Sequence, residues 1–368
     1  MQPRLKIYQE FIEKDYLKSL SQNKDYSLAG LKDELKQKIK NKQFKRIVFC
    51  GMGCSAAVGQ MLKGFLINQK IPLSVEVVNG YDVDYLIDKQ IIKDNKSLII
   101  IKSYSGCSQE PIKFFKKIKK ITNNIIFLTS GGELEQIAVK YNISIIRSKL
   151  KNHIKQYDLL HAPQHFVILL DIFFKLGLIK RSFEKELTHT ARYIKKEFNQ
   201  EKIKTAKQTA KKLKNRQIVF LANPQWHLTL LRLVVMHFNE MAATSACANL
   251  FHEFTHCEVT SFSAPKMKLA AVIFQDSSED EYSKNKMENL VDTLSQKHKR
   301  LTQDFSRGKN IEIVKVNLNQ DSFLKKLFFS LLLMQYVAYF LGCDYNIKSR
   351  QLISQTSFNP WYSKSDKK

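Results

Sequence analysis

Three serines fall within the six residues Ser103-Tyr104-Ser105-Gly106-Cys107-Ser108. Before them runs an apolar, β-branched stretch, Leu98 to Ile101, and after them come apolar residues at Ile112, Phe115, Ile118 and Ile121. The first pattern is that of a strand buried on both faces, the second that of an amphipathic helix. Backbone N–H groups at a helix start lack internal partners and carry partial positive charge, so hydroxyls and a glycine placed there suit a phosphoryl group. For any one serine, N-capping by Ser105 or Ser108 is the plainer alternative. Three together favour a ligand loop.

A second small-residue turn, Gly51-Met52-Gly53-Cys54-Ser55-Ala56, follows the apolar run Arg46 to Phe49. Its Gly-x-Gly-x-x-Ala spacing, with Glu76 further on, matches a relaxed dinucleotide fingerprint. The same glycines equally allow a backbone to approach a single phosphoryl group, and Ser55 adds a hydroxyl.

His252-Glu253-Phe254-Thr255-His256 satisfies the zinc-protease pattern H-E-x-x-H. The next stretch, Cys257 to Phe262 and then Pro265, is poor material for extending an active-site helix, so a catalytic zinc is disfavoured and no metal is expected. Glu240 and His256 form another pair. Glu240 ends a helical pattern that is apolar at Leu231, Val234, Val235 and Phe238. Partial desolvation there would raise its pKa toward that of a working base, and a carboxylate beside a histidine can serve an enolisation. A helix-terminal glutamate is also commonly just solvated.

The elements that must position these residues alternate. Strands are expected at Arg46–Phe49, Leu73–Val78, Leu98–Ile101, Asn124–Leu128 and Ile143–Ile146, with a further small-residue loop at Thr129-Ser130-Gly131-Gly132. After a helical stretch the alternation resumes at Gln217–Ala222, Leu269–Phe274 and Ile311–Val316. An α/β protein of two doubly wound, flavodoxin-like parallel-sheet halves is implied, with peripheral and connecting helices and ligands beyond the carboxyl ends of the strands. The expected divisions are a peripheral helical segment (1–40), a first half (41–155), a helical connector (156–213), a second half (214–350) and a tail (351–368) docked by Pro360-Trp361.

The 368 residues suffice for two cores, and 44% apolar content with 24 Phe indicates a globular chain. The net charge of +26 comes from lysines scattered on helix-like segments without interleaved aromatics, so it reads as solvated faces rather than a specific nucleic-acid surface. Six cysteines without a C-x-x-C pair, and an N-terminus without the apolar core of a signal peptide, point to a cytoplasmic protein with reduced thiols. The uncharged run Leu327–Cys343 is short and polar for a membrane span and reads as a core helix.

The order and spacing of the 51–56, 103–110 and 129–132 loops resemble a SIS (sugar isomerase) domain. Asn239-Glu240 followed by Glu253-Phe254-Thr255-His256-Cys257-Glu258, with a spacing of 16 from Glu240 to His256, is similar to the N-E and E-L-N-H-N-E motifs of the bifunctional phosphoglucose/phosphomannose isomerases. The resemblance implies a homodimer of two-SIS chains that isomerises a hexose 6-phosphate through a cis-enediol, without metal or cofactor. It implies that Gly53, Ser55, Ser103, Ser105 and Ser108 hold the phosphate and that Glu240 carries the proton between C1 and C2. His256, contributed to the neighbouring subunit's site, would assist ring opening.

Departures from the family pattern are specific. Ser108 stands for the usual Thr and Cys107 for the usual Asn. Pro163-Gln164 replaces a Pro-Arg pair, so Gln164 lies where an arginine would stabilise the enediolate, unless His161 or His165 substitutes. A C-terminal lysine has no clear counterpart; Gln355 aligns there, with Lys348 and Arg350 nearby. These changes imply either a slow isomerase or, alternatively, a catalytically impaired SIS protein that binds a phosphosugar and regulates.

Overall fold

The computed structural model describes residues 3–21, 25–148, 157–263, 265–295 and 310–348. Two compact units emerge: residues 15–191, and residues 192–348 together with the N-terminal residues up to Lys14. The division falls inside the expected connector, after Ala191.

In the 15–191 unit, strands β1 (Tyr26–Ser27), β2 (Arg46–Cys50), β3 (Ser74–Val78), β4 (Ser97–Lys102), β5 (Ile125–Thr129) and β6 (Ser144–Ser148) form one sheet in the order β1-β6-β5-β4-β2-β3. All neighbours are parallel except β1, which runs antiparallel to β6. Every residue of β4 and β5 is buried, as continuous β-branched runs require when helices cover both faces. Helix Gly53–Asn68 packs onto the sheet where Gly59 leaves no room for a side chain: a Cβ there would stand 2.5 Å from the Phe49 ring. Helix Gln109–Ile118 buries Ile112, Phe115 and Ile118 at the expected spacing.

The other unit carries β7 (Gln217–Ala222), β8 (Ala246–Leu250), β9 (Leu269–Asp276) and β10 (Ile311–Leu318) in the order β10-β9-β7-β8, all parallel. Strand β8 is absent from the sequence reading. Its residues Ala-Cys-Ala-Asn-Leu are short and only partly apolar, and it lies at the sheet edge, where one flank goes unpaired. Helix Phe323–Tyr345 is long and apolar enough to cross a membrane, but 78% of its most apolar stretch is buried in the protein, in keeping with a core helix.

The N-terminal helices are less peripheral than expected. In Pro3–Glu10, Arg4 and Tyr8 are fully buried; Arg4 Nη2 donates to Met241 O at 3.2 Å. Tyr8 and Gln335, the latter on Phe323–Tyr345, lie on the two ring nitrogens of buried His237, each at 3.1 Å. Burial pushes this imidazole down to about 3. Sparse apolar residues at Leu5, Tyr8 and Ile12 suffice because they share one face. Gln355, Arg350 and the Pro360-Trp361 tail lie outside the described residues.

Candidate active site

Both hydroxyl loops stand at the carboxyl ends of paired strands, β2 and β4. Helix Gly53–Asn68 begins three residues past β2, so Ser55 is its third residue, and Gly53 takes the positive φ, 50°, that the tight entry demands. The Ser55 side chain is buried, and its Oγ accepts a hydrogen bond from Lys102 Nζ at 3.0 Å.

Beyond Lys102, the chain turns through Ser103–Ser108 into helix Gln109–Ile118. Ser108 occupies the N-cap position but makes no capping bond to its helix; its Oγ is 3.1 Å from Ser103 Oγ. The capping alternative therefore fails for Ser108. Ser105 is exposed and accepts a local turn bond from Cys107 N at 3.3 Å.

Loop 129–132 buttresses this turn from β5. Ser130 donates to Tyr104 O twice, from its N–H at 2.9 Å and its Oγ at 2.7 Å, and Leu134 N donates to Gly106 O at 2.9 Å. The two loops meet backbone to backbone at Gly106, whose φ is 69°. A Cβ on Gly106 would lie 1.8 Å from Gly131 O.

A charged network lies among the same strand ends. His165 Nε2 is 2.6 Å from Asp158 Oδ1, and the His165 ring packs on Tyr104 at 5.5 Å. Partial burial works against the Asp158 carboxylate, but the adjacent His165 and Lys102 outweigh it and hold its carboxyl well below the usual range. Burial and the Lys102 charge push His165 down to about 4 despite the opposing pull of Asp158. So depressed, His165 is poorly suited to replace the arginine that the resemblance places at Gln164. Gln164 itself is buried, with its Oε1 3.0 Å from His161 Nδ1.

In the other unit, residues 227–241 run through alternating α and wide π turns, and Glu240 falls in the last π turn, His237–Met241. Asn239 clamps the helix end to β8, donating from Nδ2 to Ala246 O at 3.3 Å and accepting from Ala246 N at 3.0 Å. Glu240 is exposed, contrary to the desolvation expected from its apolar helix: the apolar positions cover one face and Glu240 lies on the other. His256 ends the short helix Phe251–His256, exposed, while Phe251 and Phe254 anchor that helix in the core.

The competing motifs are occupied differently. His252 Nε2 lies 3.4 Å from Ser283 Oγ and its ring stacks on Tyr282, and among the described residues no three His, Cys, Asp or Glu side chains converge. Glu76 sits inside β3 and pairs with Lys63 at 3.2 Å, short of the strand end where a ribose would be held.

Residues 202–352 match the family described as the bacterial phospho-glucose isomerase C-terminal SIS domain. Over this segment the chain is similar to that family. A bifunctional phosphoglucose/phosphomannose isomerase of Caldicellulosiruptor bescii is 28% identical over 237 residues, covering 62% of this chain and 66%, just under two thirds, of that protein. Solved structures share the fold. The C-terminal domain of glucosamine-fructose-6-phosphate aminotransferase from Francisella tularensis aligns with a TM-score of 0.58 at 16% identity, over 92% of this chain and 94% of that one. Tagatose-6-phosphate ketose/aldose isomerase from Escherichia coli aligns at 0.57 and 13% identity, over 92% of each chain.

Within the matched SIS segment, the carboxyl end of β9 is filled by the protein itself. Asp276 and Lys326 form a buried ion pair there, and Asp276 also accepts from Trp226 Nε1 at 2.7 Å and from Ser278 N and Oγ at 2.7 Å. In the 15–191 unit the corresponding strand tips instead carry the serines. Lys102 and Asp158 escaped the sequence reading. One signal was available for Lys102: a lysine closing the otherwise apolar run Leu98–Ile101, directly before the serines.

Proposed function

We propose that the protein is an aldose–ketose isomerase interconverting glucose 6-phosphate, and mannose 6-phosphate, with fructose 6-phosphate. The observation that carries this reading is the gathering of serine hydroxyls at two paired strand tips, Ser55 after β2 and Ser103, Ser105 and Ser108 after β4, beside a helix start whose amides Ser108 leaves uncapped. Such a cradle suits a phosphoryl group. The family of residues 202–352 and the named activity of the C. bescii relative support the substrate class.

In this reading Glu240 takes the C2 proton of the open-chain aldose as O1 gains a proton, which gives the cis-enediol. Return of the proton to C1, with loss of the O2 proton, yields the ketose. His256 assists ring opening in the neighbouring protomer of a homodimer, and the protein works in the cytoplasm without cofactor or metal.

A second reading, a phosphosugar-binding regulator without turnover, is favoured by one feature. Gln164 is uncharged and held by His161, and a missing preorganised charge at an enediolate costs about 3 kcal/mol, roughly a hundredfold in rate. Fructose 6-phosphate supplied to the purified protein, with glucose 6-phosphate read by a coupled dehydrogenase, separates the two. Turnover supports the isomerase; saturable binding with no product supports the regulator.

A further inference from the structure

Lys102 is the last residue of β4, and its side chain is 1% exposed. Fully buried lysines are rare without an ion-pair partner, because an ammonium loses its hydration shell and must be compensated. Among the described residues no carboxylate lies within ion-pair distance of Lys102. Asp158, whose charge it feels, is engaged with His165 at 2.6 Å. The ammonium has three N–H donors, and the described bond is the single one to Ser55 Oγ at 3.0 Å. A buried cation with spare donors, touching one hydroxyl of an anion cradle, is built for an occupant that brings negative charge.

We propose that Lys102 is the cationic pole of the phosphoryl site, a positioning residue that acts through Ser55. With Ser55 Oγ accepting from the ammonium, the hydroxyl proton of Ser55 is directed to the ligand rather than back into the protein. The charge beneath the loop offsets part of the phosphoryl dianion, which serine hydroxyls and backbone amides meet only with dipoles. This assignment rests on the phosphosugar reading of the site and adds to it the source of its positive charge. It also gives a reason for a lysine directly after the apolar run Leu98–Ile101.

The test uses the intact protein, with inorganic phosphate and fructose 6-phosphate as probes in titration calorimetry and a thermal melt as the check on folding. Lys102→Met should stay folded and bind both probes at least tenfold more weakly. Lys102→Arg, which keeps the charge, should bind within about threefold of the parent. The titration of His165, followed by NMR, should move upward in Lys102→Met, since Lys102 joins burial and His161 in depressing it while Asp158 raises it. Should Lys102→Met fail to fold, the parent protein supplies the second measurement: saturating inorganic phosphate should raise the His165 midpoint by offsetting the Lys102 charge.

Binding by Lys102→Met within threefold of the parent would overturn the proposal, as would an unmoved His165 midpoint on phosphate addition or failure of the parent to bind either probe. Loss of isomerisation with Lys102-dependent phosphate binding intact would instead remove the isomerase reading and leave the cationic pole standing.

Discussion

Ser108 Oγ lies 3.1 Å from Ser103 Oγ and makes no bond to the helix that it precedes. An N-cap serine normally stabilises its helix by about 1 kcal/mol through such a bond. Here the hydroxyl is turned to its neighbour across the turn instead. Ser108→Ala should therefore weaken fructose 6-phosphate binding about tenfold while lowering helix stability by well under 1 kcal/mol. Calorimetric titration beside a urea melt separates the two effects; an unchanged affinity with a large stability loss would restore the capping role.

Gly106 and Gly131 hold the two strand-tip loops in backbone contact. Gly106→Ala meets both a left-handed φ of 69° and a carbonyl oxygen 1.8 Å from the new Cβ. A cost of about 2 kcal/mol or more in unfolding free energy is expected, together with loss of phosphosugar binding as the serines are displaced. Chemical denaturation and titration on the same preparation check both.

Glu240→Gln tests the proton carrier. Because Glu240 is exposed at the end of a clamped helix, the substitution should leave the melting temperature within a degree or two. Turnover should fall by about 10²-fold or more with fructose 6-phosphate affinity retained. Activity near the parent's would assign the base elsewhere.

Acid should destabilise both units through buried imidazoles. His165 and His237 are depressed to about 4 and about 3, against an unfolded value near 6.5. Between those limits the unfolded chain binds more protons than the folded one, so stability is fully present above about pH 6.5 and is lost as pH falls toward the folded values. Asp158, held below its ordinary range, adds a loss in the same direction below about pH 4. Unfolding free energies measured at pH 7, 5.5 and 4.5 should fall in that order, by several kcal/mol in total; a flat profile would mean that these rings are solvated.

Lys326→Met should be among the most damaging single changes in the 192–348 unit. It strands the Asp276 carboxylate, 2% exposed, with only Trp226 and Ser278 for partners. Breaking a buried pair from one side costs about 3–5 kcal/mol, measurable by denaturant titration.

Much of this protein was written in the order of its residues. The continuous β-branched runs of β4 and β5 could be satisfied only by strands buried on both faces, and the alternation of such runs with helices at 3.6-residue spacing left a doubly wound parallel sheet as the solution. Strand-tip loops of Ser, Thr and Gly marked where a ligand should lie, because only there do backbone amides and hydroxyls converge without the helix or sheet consuming them. Tertiary structure decided what composition leaves degenerate. Whether Ser108 caps a helix or faces Ser103, whether Glu240 is buried or displayed, and where a buried lysine finds compensation all depend on which distant segments arrive beside it. Lys102 and Ser55 are 47 residues apart in the chain, and no local pattern couples a strand's last residue to the third residue of a helix begun two strands earlier. Periodicity reports which face of an element is buried, and only packing reports what that face is buried against.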